Sequence, residues 1–309
     1  MTGVMGNKLI LKIPEYVNEL NILEFIKTLD HYLKFKNFEL IVDFSNNKFF
    51  LASFSAILAG YMKLYLSNGN KIFINRKFGN PKTREILEKN KFFETITGKN
   101  FYSFDIWDTT VPFKIYKYED TEKDFVDYIE SRFISKDLFP NMSAELKNEI
   151  IMSFAEIFVN AKEHSKSKFP HFSCGQFFPN DKKISFTFVD LGIGIYGSIK
   201  ENFPKIVDKY PDIKHIKNSL DAIEWALKEG TTTKLGLSGG DGLPFIKNFI
   251  QVNKGILQIV SNNGFWEINC SNSCKYLKLP LSYNYGGTIL NLIFRIDDNY
   301  YYLSSEGGY

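Results

Sequence analysis

The sequence predicts an α/β protein of two domains, an N-terminal α/β domain over residues 1–104 and a C-terminal α/β sandwich over residues 105–309. Three observations predict it. Strand and helix signals alternate through the first segment, as in an open α/β layer. Residues 105–110 are irregular and rich in turn formers, which marks a boundary. Beyond them, strand runs mix with amphipathic helices in the order expected of helices lying on one face of a mainly antiparallel sheet.

A chain of 309 residues exceeds the usual size of one domain. With 44% hydrophobic and 16% aromatic residues it can bury sizeable cores, which argues against disorder. The net charge is only +3, and lysines alternate with acidic residues, so no nucleic-acid surface is indicated. Residues 1–8 lack the blocks of an export signal, and no apolar run approaches the roughly 20 residues that span a bilayer. The location expected from this is cytoplasmic, with no membrane partner. Cys174, Cys270 and Cys274 form no zinc quartet and read as reduced thiols. The Lys-, Asn-, Ile- and Phe-rich usage suggests a bacterium with an AT-rich genome.

In the first domain, residues 9–13, 40–44 and 71–75 read as strands and residues 53–66 and 82–89 as helices. Residues 20–35 have helical spacing, with Ile22, Phe25, Ile26, Leu29 and Leu33 on one side. The run Ile41-Val42-Asp43-Phe44-Ser45, followed by Phe49-Phe50-Leu51 and a helix start at Ser53 and Ser55, resembles a STAS domain, the fold of anti-anti-sigma factors. The resemblance lies in the pattern and not in a sharp motif. STAS regulators often carry a phosphorylatable serine after an aspartate at this helix start. Here Ala52 precedes Ser53, and Ser53 reads as a helix N-cap.

In the second domain, residues 111–118 read as a strand, 121–134 as a capped helix and 143–163 as a long amphipathic helix. Two strands follow, then a long polar loop with a helical stretch at 219–228, a helix over 243–252 and three more strands. Trp225, in the helical stretch, is assigned to packing.

Three elements carry chemistry. Glu156 and Asn160 are four residues apart on the long helix, hence on one face, within an otherwise apolar run. A divalent cation with its waters would partner both, taking an oxygen from Asn160 while Glu156 orients or deprotonates water. Asp190 ends an apolar strand and leads into Leu191-Gly192-Ile193-Gly194, where an acid can accept from an exocyclic amine and glycines let a flat ring approach. The run Gly236-Leu237-Ser238-Gly239-Gly240-Asp241-Gly242-Leu243 enters a helix with Pro244 in its first turn, a loop suited to binding phosphates through its N–H groups. Each alone has a bland reading: solvated helix face, turn, or loop.

Taken in order, these elements resemble the GHKL, or Bergerat-fold, ATPases, the group of gyrase, heat-shock chaperone and histidine-kinase nucleotide domains. The matching positions are Glu156, Asn160, Ala161, His164 and Ser165; Asp190, Gly192 and Gly194; Gly240, Gly242 and Leu243; and Gly287-Thr288, over residues 110–297. The resemblance implies that Asp190 reads the adenine amino group, that Asn160 binds the magnesium bridging the phosphates, and that Glu156 is the general base. Thr288 would lie near the adenine. It also makes residues 195–239 an ATP lid, with Thr231, Thr232, Thr233 and Lys234 as phosphate contacts. Asp241, between the glycines, departs from the family and is expected to point away or to cap the helix.

The implied cofactors are ATP and magnesium, and three functions follow: an ATP hydrolase or ATP-operated switch coupled to the STAS-like domain, a serine/threonine kinase acting on a STAS partner as anti-sigma factors do, or a nucleotide-dependent binding regulator without turnover. A regulatory protein partner is expected in each case, and family members often work as dimers. No heptad hairpin supports a phosphoacceptor histidine, and His31, His171 and His215 have no telling spacing.

Overall fold

Leu9 and Leu11 alternate with Lys8, Ile10 and Lys12 along the first strand, and the burial follows that period of two, with Leu11 enclosed and Ile10 open. The computed structural model describes residues 7–101, 103–134, 139–233 and 240–306. It is a mixed α/β protein with several sheets, divided into two compact units: Met1–Lys114 with Phe172–Gln176, and Ile115–His171 with Phe177–Tyr309.

The first unit begins with β1 (Lys8–Lys12), the short β2 (Tyr16–Val17) and α1 (Ile22–Asp30). There follow β3 (Glu39–Asp43), β4 (Phe49–Phe50), α2 (Ser55–Ser67), β5 (Lys71–Ile74), α3 (Pro81–Lys89) and α4 (Phe92–Thr97). β1, β3 and β5 form a parallel sheet in that order, and β2 pairs with β4. Parallel neighbours require crossovers, which α1 and α2 supply. Ser53 does not cap a helix. A 3₁₀ turn, Ala52–Phe54, precedes α2, so the N-cap positions fall on Leu51 and Phe54, and Ser53 sits inside the turn, fully buried.

Next come β6 (Thr110–Tyr116), α5 (Glu122–Ile129), β7 (Asn141–Met142), α6 (Ala144–His164), β8 (His171–Phe178) and β9 (Lys183–Asp190). A reciprocal capping box between Thr121 and Asp124 starts α5, and the Ser143 hydroxyl accepts from the Leu146 N–H to start α6. The chain continues through α7 (Gly194–Ile206), α8 (Ser219–Ala226), α9 (Gly242–Val252), β10 (Ile256–Asn269), β11 (Lys275–Arg295) and β12 (Tyr300–Tyr301). The larger sheet has the order β10-β11-β9-β8-β6, and β12 pairs with β7. Among the described residues no helix is long and apolar enough to cross a membrane.

Three features differ from the sequence reading. Where a polar loop was expected, α7 forms a helix whose Ile199 and Ile206 join Ile213, Ala222 and Trp225 in a small core of their own. Gly194, Gly197 and Pro204 had masked that helical stripe. β10 doubles back on itself: the Cys270 N–H donates to the Gly255 carbonyl at 2.9 Å and Gln258 to Glu267 at 2.6 Å, around a turn at Asn262-Asn263 where Asn262 has φ 52°. Cys270 and Cys274 flank the turn from β10 to β11, where Asn269 pairs with Lys275, and they are disulfide-bonded, so neither is a reduced thiol. Cys174 alone is free, and burial pushes its thiol up to about 12.

Register in the larger sheet is held by a buried polar row, in which the Thr187 hydroxyl donates to Asn291 at 3.0 Å and the Asn291 amide to Gln258 at 2.8 Å. A slip of one residue would strand these amides among apolar side chains. On the opposite face, α6 lies between α5 and α9 and is seated by aromatic rings. Phe158 stacks on Phe125 at 4.7 Å and meets Phe188, while Phe154 meets Phe186 edge-on at 5.4 Å. Each buried ring contributes about 1.5–3 kcal/mol through lost water contact, and each pair a further ~1 kcal/mol. Phe158→Ala is therefore expected to destabilise the protein by about 3–5 kcal/mol in urea unfolding; a loss below about 1 kcal/mol would show that α6 is held by something else.

Candidate functional site

Apolar spacing turns one side of α6 onto the sheet, and the residues at the rim of that stripe face a cavity of about 130 Å³ in the second unit. Glu156 and Asn160, four residues apart on α6, both line it. At one end the wall is Asp190, Thr288, Phe188 and Leu290, from β9 and β11; at the other it is Glu156, Gly240, Leu243 and Pro244, where the glycine loop enters α9. Thr231, Thr232 and Thr233 complete the second end.

Asp190 is opposite Thr288 in the antiparallel register, and Thr288 is opposite Ser261 on β10. The three form a polar row across strands that are otherwise apolar on this face. The Ser261 and Thr288 hydroxyls lie 3.2 Å apart, and Ser261 also accepts from the Ile195 N–H at 2.9 Å. Burial pushes the Asp190 carboxyl up from its ordinary 3.8 to about 7; hydrogen bonds from the Gly192 N–H and from the hydroxyl and N–H of Thr288 act the other way without cancelling it. Gly192 donates at 2.8 Å. It does not itself form the cavity wall. Its lack of a side chain is required by Ser165, whose carbonyl a Cβ would approach to 2.2 Å and which accepts from Ile193 at 2.7 Å. Gly194 lines the cavity with φ +69°, and Gly287 packs against the Asp190 carbonyl.

Glu156 has a role that helix spacing alone did not reveal. Its two carboxylate oxygens accept from the N–H groups of Gly240 at 2.6 Å and Gly242 at 2.9 Å. The carboxylate thus holds the glycine loop at the positive end of α9. Gly240 has φ +99° and its α-carbon faces the Thr231 carbonyl, so only glycine fits. Gly242 packs directly on Glu156 and lies behind the wall. Asp241 occupies the N-cap position of α9, yet its side chain turns to the Gly230 N–H at 3.0 Å and leaves the helix uncapped. Lys234 and residues 236–239 lie outside the described residues.

The structure therefore gathers Glu156, Asn160, Asp190, Gly194, Gly240, Leu243 and Thr288 around one cavity, with Gly192 and Gly242 supporting it from behind. Sequence reasoning missed Ser261 and Tyr285, whose hydroxyl donates to the Asp190 carbonyl at 3.1 Å. Their positions follow from strand register. The Asn262-Asn263-Gly264 turn signal was the clue to it. Among the described residues no group of three or more His, Cys, Asp or Glu is placed to hold a metal ion. A magnesium ion fits only in its usual manner, with most ligands from water and polyphosphate and one protein oxygen, for which the Asn160 amide is available on the wall.

No protein-family model matches the chain, and no curated protein matches its sequence.

Because the folded protein holds the Asp190 proton more tightly than the unfolded chain, this group's stabilising contribution is present at low pH and is lost as pH rises from about 4 to about 7. Asp190→Asn keeps the acceptor oxygen and cannot ionise. Its Tm is expected to exceed that of the wild type near pH 8, by a margin that shrinks as pH falls and is gone near pH 4; an advantage independent of pH would mean that Asp190 is already protonated or solvated.

Proposed function

We propose that the second unit is a Bergerat-fold nucleotide domain that binds ATP with magnesium and hydrolyses it, and that the first unit is a STAS-like regulatory domain whose interactions depend on that cycle. The observation carrying this reading is the pairing, across one cavity, of a buried acid on a strand tip with a glycine loop at a helix N-terminus. The acid suits a base that offers an exocyclic amine, and the loop suits phosphates. Adenine has such an amine at the edge facing Asp190, whereas guanine presents a carbonyl there, which a carboxylate repels.

In this reading Asn160 holds the magnesium, which neutralises phosphate charge when bound. Glu156 has two duties. In the structure its oxygens are engaged by Gly240 and Gly242; phosphate oxygens that take over these donors leave the carboxylate free to orient water and accept its proton. Thr231, Thr232 and Thr233 add hydroxyls at the same end, and α7 and α8 form a folded cover over residues 195–233 in place of a bare loop. The buried position of Ser53 favours hydrolysis over phosphorylation of the chain's own STAS-like unit.

Calorimetry with excess magnesium is expected to show ATP association with the wild type, weaker binding of GTP by tenfold or more, and loss of magnesium-dependent binding in Asn160→Ala. No adenine-nucleotide association at millimolar concentration would end this reading. With γ-labelled ATP, the wild type is expected to release free phosphate, and Glu156→Gln, which retains an acceptor for the loop, to bind ATP with turnover reduced by about 10²-fold or more. Label transferred to protein would identify a kinase instead, and unchanged turnover in Glu156→Gln would remove Glu156 as the base.

A further inference from the structure

Asp241 stands where a helix cap belongs and does something else. An aspartate at the N-cap position ordinarily accepts from the first turn of its own helix. Here its Oδ1 accepts instead from the Gly230 N–H at 3.0 Å, in the turn that follows α8. Glu156 already supplies the acceptors for Gly240 and Gly242, which leaves the Asp241 side chain available for this contact.

The two stretches of chain joined in this way carry the two halves of the cavity's glycine-loop end. On one side are the Gly240 and Gly242 N–H groups at the start of α9; on the other, directly after Gly230, are Thr231, Thr232 and Thr233. Groups that must reach one ligand together have to be held within about 0.5 Å of the productive geometry. A Cβ on Gly240 would lie 2.3 Å from the Thr231 carbonyl oxygen, so the two backbones already touch and cannot approach further. That contact is only a stop; the Asp241–Gly230 bond is the tether that keeps the halves against it. The Thr231 hydroxyl is turned back to the Trp225 and Lys228 carbonyls, both at 2.8 Å, so the threonine stretch moves with α8. Further along α9, Lys247 donates to the Leu227 carbonyl and Asn248 to Glu229, both at 3.0 Å, but these ties act beyond the first turn. For holding alone the charge of Asp241 is a handicap, because an acid beside an anion site repels phosphate, and asparagine would offer the same acceptor oxygen without it.

We propose that Asp241 is a positioning residue whose side chain, through Gly230, sets the spacing between the glycine-loop donors and the threonine stretch and so governs phosphate binding without touching the ligand. The role rests on the nucleotide reading of the cavity, and adds to it that recognition of the phosphates, and not of the base, depends on this contact.

Asp241→Asn keeps the acceptor and removes the charge, whereas Asp241→Ala removes both, so the difference between the two variants isolates the tether. Calorimetry with ATP and magnesium is expected to show Asp241→Asn binding at least as tightly as the wild type and Asp241→Ala about tenfold more weakly than Asp241→Asn. Adenosine, which has no phosphates, is expected to bind both variants equally. Asp241 and Gly230 are exposed, so both variants are expected to fold and to unfold within a few degrees of the wild type, which a thermal scan checks. If Asp241→Ala and Asp241→Asn bind ATP equally, or adenosine binding to Asp241→Ala falls as far as ATP binding, Asp241 does not position the phosphate end and this inference fails while the nucleotide reading stands. If the wild type binds no ATP, both fail.

Discussion

A carboxyl group at the end of a buried strand constrains everything near it. Asp190 is 5% exposed, and water cannot stabilise its charge, so protein donors do so in part: the Gly192 N–H and the Thr288 hydroxyl and N–H. Those donors exist only if β9 and β11 pair in one register and the chain after Asp190 turns tightly enough to bring Gly192 back. That turn presses on Ser165 and thereby on the end of α6, the helix carrying Glu156 and Asn160. One electrostatic requirement thus links two strands, a glycine turn and the helix opposite.

Glu156 is the counterpart at the other end. A helix start that lacks a side-chain cap leaves N–H groups needing an acceptor, and α9 has no cap of its own because Asp241 is engaged with Gly230. The acceptor comes from α6, which two strands and two helices separate from α9 in the chain. The aromatic contacts of Phe154 and Phe158 fix α6 to the sheet, so the carboxylate is delivered from a rigid support.

Much of this was legible in the sequence because it depends on local spacing. A four-residue interval on an apolar helix places Glu156 and Asn160 together whatever the rest of the chain does, and an acid followed by two glycines after a strand marks the Asp190 turn. What was not legible depends on distant pairing or on competing local signals. The partnership of Thr288, Ser261 and Tyr285 with Asp190 needs the register of three strands. The stripe of α7 was interrupted by two glycines and a proline. Ser53 was misplaced because a 3₁₀ turn advanced the helix start, a shift of backbone geometry that residue preference does not encode. The Cys270–Cys274 bond depends on the pairing of Asn269 with Lys275 across the turn from β10 to β11, and the reversal within β10 was signalled but not proved by two consecutive asparagines.

That reversal also reaches the cavity. Asn262, in the left-handed conformation its turn demands, donates from its amide to the Ile193 carbonyl at 2.9 Å, and its oxygen lies where a Cβ on Gly194 would be, 2.4 Å away. The hairpin corner and the start of α7 are shaped to each other like key and ward. In evolutionary terms, neither position can drift alone: a side chain at 194 forces a smaller residue at 262, and a larger corner residue ejects the glycine's neighbour, so in related chains these two positions should be inherited as a pair.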